Sequence, residues 1–337
     1  MAKAEQIKAL LKSHLEGDEQ RFYSVAMQVA AHEARLGHAK LADEIRLLVD
    51  KSKAQRGAGR LVQISQPRGE LANLLAVSHP KARLSDMVLG DGLAREIGRV
   101  IREQRHAERI LAHGLSPRRK LLLLGPPGTG KTLTASVLAG ELGLPLFEVR
   151  LDGLLTKFMG ETAAKLRQVF EATSQTRGVY FFDEFDSIGS QRSASNDVGE
   201  IRRVLNSFLL MLEQDQSHSL ILAATNHPEI LDSALFRRFD DVLSYALPDD
   251  RQIEKLLRAR LERTADRDVS WSALAEESVG LSNAEIARAV EEVLKAALIE
   301  GEDQIGEAEI SRMLKERKEI RRRVPGRQLR SEAEPGA

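Results

Sequence analysis

The spacing of apolar residues predicts helices at the start of the chain. In residues 1–55, apolar side chains recur as they do on one face of a helix, in three successive stretches. Gly17 and Gly37 separate these stretches, which favours short turns between helices. We therefore predict an N-terminal bundle of three helices. The apolar stretches are Ile7, Leu10, Leu11 and Leu15, then Phe22, Val25, Val29 and Leu36, then Leu41, Ile45, Leu48 and Val49.

The pattern changes twice after this bundle. Residues 56–81 are mostly polar with several glycines and prolines, which is typical of a linker, and one short ordered element is expected near residues 71–77. In residues 82–249, apolar runs of strand length alternate with helical patterns. That alternation predicts an α/β fold, with a mainly parallel sheet covered by helices on both faces. The predicted strands are residues 121–124, 146–150, 179–182, 220–224 and 242–247.

Helical patterns return in residues 250–320, which we predict to form a separate helical subdomain. Ser282 and Glu285 have the spacing of a capping box, so we expect a helix to begin there. Residues 321–337 are basic at first and then end in small and acidic residues, which favours a flexible tail.

Composition narrows the possible chemistry. The 337 residues include no cysteine, which excludes disulfides, thiolate metal sites and cysteine catalysis. Lysine plus arginine equals aspartate plus glutamate, at 50 each, so no overall basic field favours nucleic acid or anionic lipid. The N-terminus lacks a signal-peptide pattern, and no apolar run is long enough to span a membrane. We expect a cytoplasmic protein without a membrane span.

A glycine-rich loop follows the first predicted strand. It reads GPPGTGKT and matches the phosphate-loop spacing G-x-x-x-x-G-K-[ST]. Glycines let backbone N–H groups converge on phosphate, and the helix that follows directs its positive end there. Lys131 is expected to reach the outer phosphates of a nucleotide, and Thr132 to ligate Mg²⁺. The nucleotide-binding residues predicted here are Pro127, Gly128, Thr129, Gly130, Lys131, Thr132 and Leu133.

Two later strands end in polar residues that suit nucleotide hydrolysis. Asp183 and Glu184 follow an apolar run. Asp183 is expected to help hold Mg²⁺, and Glu184 to orient and polarise the attacking water. Asn226 follows the next predicted strand and is expected to hold that water from the opposite side. By itself, Asn226 would equally suit a simple turn.

Together these segments resemble the AAA family of ATPases. The resemblance rests on residues 125–132, Asp183 with Glu184, Asn226 and residues 231–240, and it covers residues 84–298. It implies a P-loop NTPase domain over residues 82–249, a helical lid over residues 250–320, ATP and Mg²⁺ as cofactors, and ATP hydrolysis. It also implies a homo-oligomer, usually a ring of six subunits with ATP bound between neighbours.

The resemblance extends to individual residues. Arg237 and Arg238 match the arginine-finger position, where each finger reaches the site of a neighbouring subunit, and either arginine suits the main role. The backbone of Met87 and Val88 corresponds to the segment that meets adenine. Ala284 stands at the start of the lid helix, where wider relatives have an arginine. The preceding Asn283 replaces a glycine, and we expect no effect on the nucleotide.

Residues 156–162 resemble the aromatic-hydrophobic-glycine pore loop of AAA translocases. The resemblance places Lys157, Phe158 and Met159 at the ring centre, where apolar side chains grip an extended polypeptide by non-directional contact. A second pore loop is expected within residues 191–199. Spacing alone would instead favour Phe158 and Met159 as core residues at a helix start.

Three functions remain open from the sequence. The first is an ATP-driven motor that unfolds, translocates or remodels polypeptides, alone or with a separate protease or adaptor, since the sequence has no His-Glu-x-x-His motif. The second is a nucleic-acid-associated AAA ATPase, such as a loader or transposition helper, which rests on the basic residues between 315 and 330. The third is a scaffold whose nucleotide-gated assembly is the output.

We favour the first function, and nucleic acid is not the expected partner. The N-terminal bundle resembles the microtubule-interacting-and-transport domain in size and position. We expect it to recruit substrate or an adaptor, with oligomerisation as the alternative role.

Overall fold

The structure is a computed structural model and describes residues 13, 19–38, 40–47, 49, 69–154, 159–185, 198–228, 233–302 and 304–323. The chain divides into two compact units, Met1–Ser65 and Gln66–Ala337. None of the helices in the described residues combines the length and the apolar character that crossing a bilayer requires.

The first unit is helical where it is described. Helix α1 (Glu19–Arg35) buries Ala26, Val29 and Ala30 on one face. It ends before Gly37, whose φ of 87° is the left-handed conformation that closes many helices. Residues 40–47 are helical again. The first predicted apolar stretch, residues 7–15, lies outside the described residues apart from Ser13.

The second unit contains a six-stranded sheet in the order β1-β3-β4-β5-β2-β6. Strand β1 pairs antiparallel with β3, and the other neighbours pair in parallel. The predicted α/β fold with a mainly parallel sheet is therefore confirmed. The strands are β1 (Leu75–Ser78), β2 (Lys120–Leu124), β3 (Leu146–Val149), β4 (Val179–Phe182), β5 (Leu220–Thr225) and β6 (Asp241–Ser244).

Side chains alternate between the two faces of this sheet, and each face has its own apolar core. Leu122, Tyr180 and Phe182 lie in one core, while Leu121 and Phe181 lie in the other. The helices of this α/β part are α2 (Leu71–Leu74), α3 (Asp91–Arg105), α4 (Ala107–Ala112), α5 (Lys131–Leu142), α6 (Leu151–Leu154), α7 (Met159–Gln175), α8 (Val198–Gln214) and α9 (Ser233–Phe236).

Four further helices in the described residues pack around a third apolar core that includes Leu257, Ile286 and Val290, and we refer to them as the lid. The predicted capping box is present, because Ser282 N donates to Glu285 Oε2 at 2.7 Å and Glu285 N donates to Ser282 Oγ at 3.4 Å. The lid helices are α10 (Asp250–Leu261), α11 (Trp271–Ser278), α12 (Asn283–Glu300) and α13 (Glu307–Arg323).

Candidate nucleotide-binding site

The glycine-rich loop lies between the end of β2 and the start of α5. Gly125, Gly128 and Gly130 have φ angles of 144°, 78° and 107°, a region that side chains with a Cβ rarely adopt. Space is also restricted, since a Cβ at Gly125 would clash with the carbonyl of Tyr245. Glycine is therefore required by conformation at all three positions, and at Gly125 also by packing.

Lys131 is held inside this loop and is only 6% exposed. Its Nζ donates to the carbonyl oxygens of Gly125 and Pro126, at 2.8 and 2.9 Å, and to Asn226 Oδ1 at 2.8 Å. A buried ammonium at the centre of this loop suits a phosphate anion, because desolvation strengthens the attraction between opposite charges.

Thr132 and Asp183 meet at the edge of the sheet. Thr132 Oγ1 donates to Asp183 Oδ2 at 2.8 Å. A hydroxyl and a carboxylate suit Mg²⁺, which prefers oxygen ligands and takes others from water and phosphate. Among the described residues, no group of three or more His, Cys, Asp or Glu side chains is placed to hold a metal. The pair therefore fits a cation shared with a nucleotide better than an all-protein metal cage.

Glu184 follows Asp183 in an unusual backbone conformation. Its φ of 49° is positive, and it is the one non-glycine residue of this kind in the described part of the chain. Glu184 N donates to Asp183 Oδ1 at 2.9 Å, and Phe185 N donates to Ala224 O at 2.8 Å. The turn after β4 is thus fastened on both sides of Glu184, which offsets the cost of the left-handed backbone.

Helix α5 is anchored beneath the loop by a buried hydroxyl pair. Tyr245 Oη and Thr134 Oγ1 are 2.6 Å apart. Burial raises the pKa of the Tyr245 phenol well above its usual range, so this hydroxyl stays neutral. The contact holds the first turn of α5 against the chain that follows β6.

The loop, the two acids and the lid enclose one cavity of about 390 Å³. Every predicted nucleotide-binding residue lines it, together with Glu184 and Asn226. Sequence reasoning did not select Asp86, Leu256, Arg260, Asn283 and Ala287 as site residues. The lining residues are Asp86, Met87, Val88, Pro127, Gly128, Thr129, Gly130, Lys131, Thr132, Leu133, Asp183, Glu184, Asn226, Leu256, Arg260, Asn283, Ala284 and Ala287.

The lid residues other than Ala284 were not predicted, because their spacing in the sequence matches no phosphate-binding or metal-binding motif. Leu256 and Arg260 are one turn apart on α10, which looks like an ordinary amphipathic helix. Asn283 was expected to have no effect on the nucleotide, yet it lines the cavity and its Nδ2 donates to Val88 O at 3.4 Å. Its departure from the glycine of the resemblance is the signal from which this position could have been found.

The other predicted site residues lie elsewhere. Arg237 and Arg238 follow α9 and do not line the cavity; Arg237 is exposed and Arg238 Nη1 bonds to Glu213. Lys157 and Phe158 lie outside the described residues, and Met159 is the first residue of α7. Of the predicted second pore loop, residues 191–197 also lie outside the described part.

Comparisons with known proteins agree with this geometry. The family model "ATPase family associated with various cellular activities (AAA)" matches residues 121–247, from β2 to just beyond β6. The chain is 36% identical over 327 residues to an uncharacterized AAA family ATPase, y4kL, of Sinorhizobium fredii, covering 96% of this chain and 97% of the relative.

More distant similarity is found to proteases. The chain is 34% identical over 249 residues to the ATP-dependent zinc metalloprotease FtsH 3 of Sphaerobacter thermophilus, covering 72% of this chain and 51% of that protein. It is 37% identical over 211 residues to the chloroplastic ATP-dependent zinc metalloprotease FTSH 6 of Arabidopsis thaliana, covering 60% of this chain and 31% of that protein. The chain thus spans about half or less of these FtsH relatives. With a phosphate loop, its acidic partners and a helical lid around one cavity, the chain belongs to the AAA family of ATPases.

Proposed function

We propose that the protein uses ATP hydrolysis to unfold, translocate or remodel polypeptides through the pore of a homo-oligomeric ring, with six subunits as the expected number. The observation that carries this proposal is the position of α7. This helix begins at Met159, within the predicted pore loop of residues 156–162, and its Phe170 ring stacks on Phe182 with ring centroids 6.1 Å apart. Phe182 is the residue before Asp183, so α7 joins the predicted pore loop to the nucleotide site.

In this proposal, each residue of the nucleotide site has a separate role. Lys131 binds the outer phosphates and stabilises their charge. Thr132 and Asp183 hold Mg²⁺, which supplies further charge stabilisation when bound. Glu184 orients and polarises the attacking water, and Asn226 holds it from the other side.

The two arginines act on a neighbouring subunit in this proposal. Arg237 and Arg238 lie outside their own cavity, as a residue that completes a second subunit's site must. A permanently charged guanidinium stabilises negative charge that develops on the transferred phosphoryl group.

Partners follow from the same proposal. Since two relatives are described as ATP-dependent zinc metalloproteases, a separate protease is a candidate recipient of the unfolded polypeptide. The N-terminal bundle is the candidate site for substrate or adaptor recruitment.

The test measures ATP turnover of the full chain with an unfolded polypeptide and, separately, with DNA. Wild type is compared with Phe158→Ala, and Glu184→Gln serves as the inactive reference. Leu298→Ala is the matched control, because Leu298 is 81% exposed on the lid and its truncation also removes surface apolar area.

We expect polypeptide to stimulate wild type and Leu298→Ala but not Phe158→Ala. Equal stimulation of all three active proteins would refute the pore loop. Stimulation by DNA alone would favour the nucleic-acid alternative, and stimulation by neither polymer would favour the scaffold.

A further inference from the structure

The last turn of α13 is fastened to the turn that precedes α12. Arg321 lies in that last turn, with its side chain 18% exposed. Its Nη1 donates to the carbonyl of Gly280 and to Glu285 Oε2, which is 3.1 Å away. One guanidinium therefore spans both ends of the short segment 280–285.

The same carboxylate oxygen also completes the capping box. Glu285 Oε2 accepts from Ser282 N at 2.7 Å and from Ser282 Oγ at 2.8 Å, in addition to Arg321. Hydrogen bonds to an ionised partner are roughly twice as strong as those between neutral groups. The conformation of the first turn of α12 thus depends on a charge that Arg321 neutralises.

This turn rests directly on the phosphate loop. Ala284 N donates to Gly128 O at 3.0 Å. Ser282 Oγ lies 2.6 Å, and Ala284 Cβ 3.1 Å, from the position that a Cβ on Gly128 would occupy. A continuous set of contacts therefore runs from Arg321 through Glu285 and Ser282 to Gly128, and Gly128 lines the nucleotide cavity.

We propose that Arg321 is a positioning residue for the nucleotide site. Through Glu285 and Ser282 it holds the lid turn against Gly128, so that the phosphate loop and the lid wall at Ala284 are in place before a nucleotide binds. Preorganisation of this kind improves affinity because less ordering remains to be done on binding. The proposal depends on the assignment of this cavity to the nucleotide and is independent of polypeptide translocation.

The chain provides a matched control one turn earlier on α13. Arg317 has the same side-chain exposure, 18%, and bonds to Glu292 on α12. Arg317→Met and Arg321→Met each remove one ion pair between the same two helices. Only Arg321 contacts the capping box among the described ion pairs and hydrogen bonds of these two arginines.

The experiment has two readouts on the full chain. The first is the Kd of a fluorescent ADP analogue with Mg²⁺. The second is amide hydrogen exchange of residues 125–132 in the nucleotide-free protein, which reports the loop without any turnover. We expect Arg321→Met to raise the Kd about five- to tenfold, which is part of the free energy of one charged hydrogen bond, and to speed exchange in the loop. Arg317→Met should stay within about twofold of wild type.

Two further variants keep the result interpretable. Arg321→Lys retains the charge and should recover part of the affinity, and Glu285→Gln should reproduce the loss seen in Arg321→Met. If Arg321→Met does not fold, these two variants carry the test. Equal losses in the Arg317 and Arg321 variants would show a general packing effect and overturn the proposal, as would an unchanged Kd in folded Arg321→Met. Failure of wild type to bind the analogue would instead refute the assignment of the cavity.

Discussion

The contact between lid and phosphate loop gives a quantitative prediction for Gly128→Ala. Gly128 has a φ of 78°, and an added Cβ would lie 2.6 Å from Ser282 Oγ and 3.1 Å from Ala284 Cβ. The control is Gly143→Ala at the end of α5. Gly143 has a similar φ of 64°, but an added Cβ there has no atom within 4 Å.

Both substitutions carry the free-energy cost of a left-handed backbone, but only Gly128→Ala also carries a packing cost. A left-handed backbone at alanine costs about 1–2 kcal/mol at either position. At Gly128, Ser282 must also retreat by roughly 0.8 Å to reach the 3.4 Å at which ordinary contacts begin. That movement breaks or weakens the bond from Ala284 N to Gly128 O, which is worth about 0.5–1.5 kcal/mol.

The assay therefore separates stability from nucleotide binding. Urea unfolding should show similar destabilisation in the two variants, or somewhat more for Gly128→Ala. The Kd of Mg²⁺-ADP should rise about three- to tenfold in Gly128→Ala, the equivalent of the lost hydrogen bond, and remain at the wild-type value in Gly143→Ala. An unchanged Kd in folded Gly128→Ala would refute the idea that the lid turn sets the position of the phosphate loop.

Two further predictions concern stability. Asp215 is 8% exposed and pairs with Arg119. Asp215→Ala should therefore lower the free energy of unfolding by about 3–5 kcal/mol while the KM for ATP stays unchanged. A loss below about 1 kcal/mol in urea titration would contradict this. Glu184→Gly removes the strain of a positive φ, so it should be up to about 1 kcal/mol more stable than Glu184→Gln, with hydrolysis lost in both. Thermal unfolding checks this, and a less stable glycine variant would show that the turn is not strained.

The parts of the fold that the sequence predicted well are those specified locally. Strand β4 was predicted with its observed bounds, because four consecutive buried residues form an apolar run next to two acids. The phosphate loop was also readable, since its glycine spacing is a local requirement. Because β4 and β5 pair in parallel, their carboxyl ends lie at the same edge of the sheet. Asp183 and Asn226, which follow these strands, therefore lie at that edge too.

The parts that escaped prediction depend on partners distant in the chain. A short ordered element was expected near residues 71–77 within the linker, but neither its strand β1 nor the pairing of β1 with β3, which joins Leu75 to Val149, was predicted. A four-residue strand of mixed burial is too short to show an alternating pattern of apolar and polar residues in the sequence. In β6, the predicted strand ran to residue 247, but pairing with β2 ends at Ser244. The next residue, Tyr245, packs against Gly125, so the chain there follows the phosphate loop instead of the sheet.

The basic residues of α13 show why a run of charge is a poor guide to a partner. In the sequence they supported the nucleic-acid alternative, which rested on the basic residues between 315 and 330. The structure pairs Lys315 with Glu277, Arg317 with Glu292 and Arg321 with Glu285, on the neighbouring lid helices. A hydrogen bond from Lys315 is the main cause that lowers the pKa of Glu277, so the acid stays ionised and the pair persists.

These ion pairs change what the basic residues of α13 indicate about a partner. A phosphate backbone that bound these side chains would compete with three glutamates for arginine or lysine, and each displaced carboxylate would lose its partner. Interhelical pairing also explains why α13 is built against the lid's capping box instead of standing free in solvent. Charge in this segment therefore joins the lid helices to one another. Any nucleic-acid affinity would have to arise from the α13 residues that contact nothing acidic.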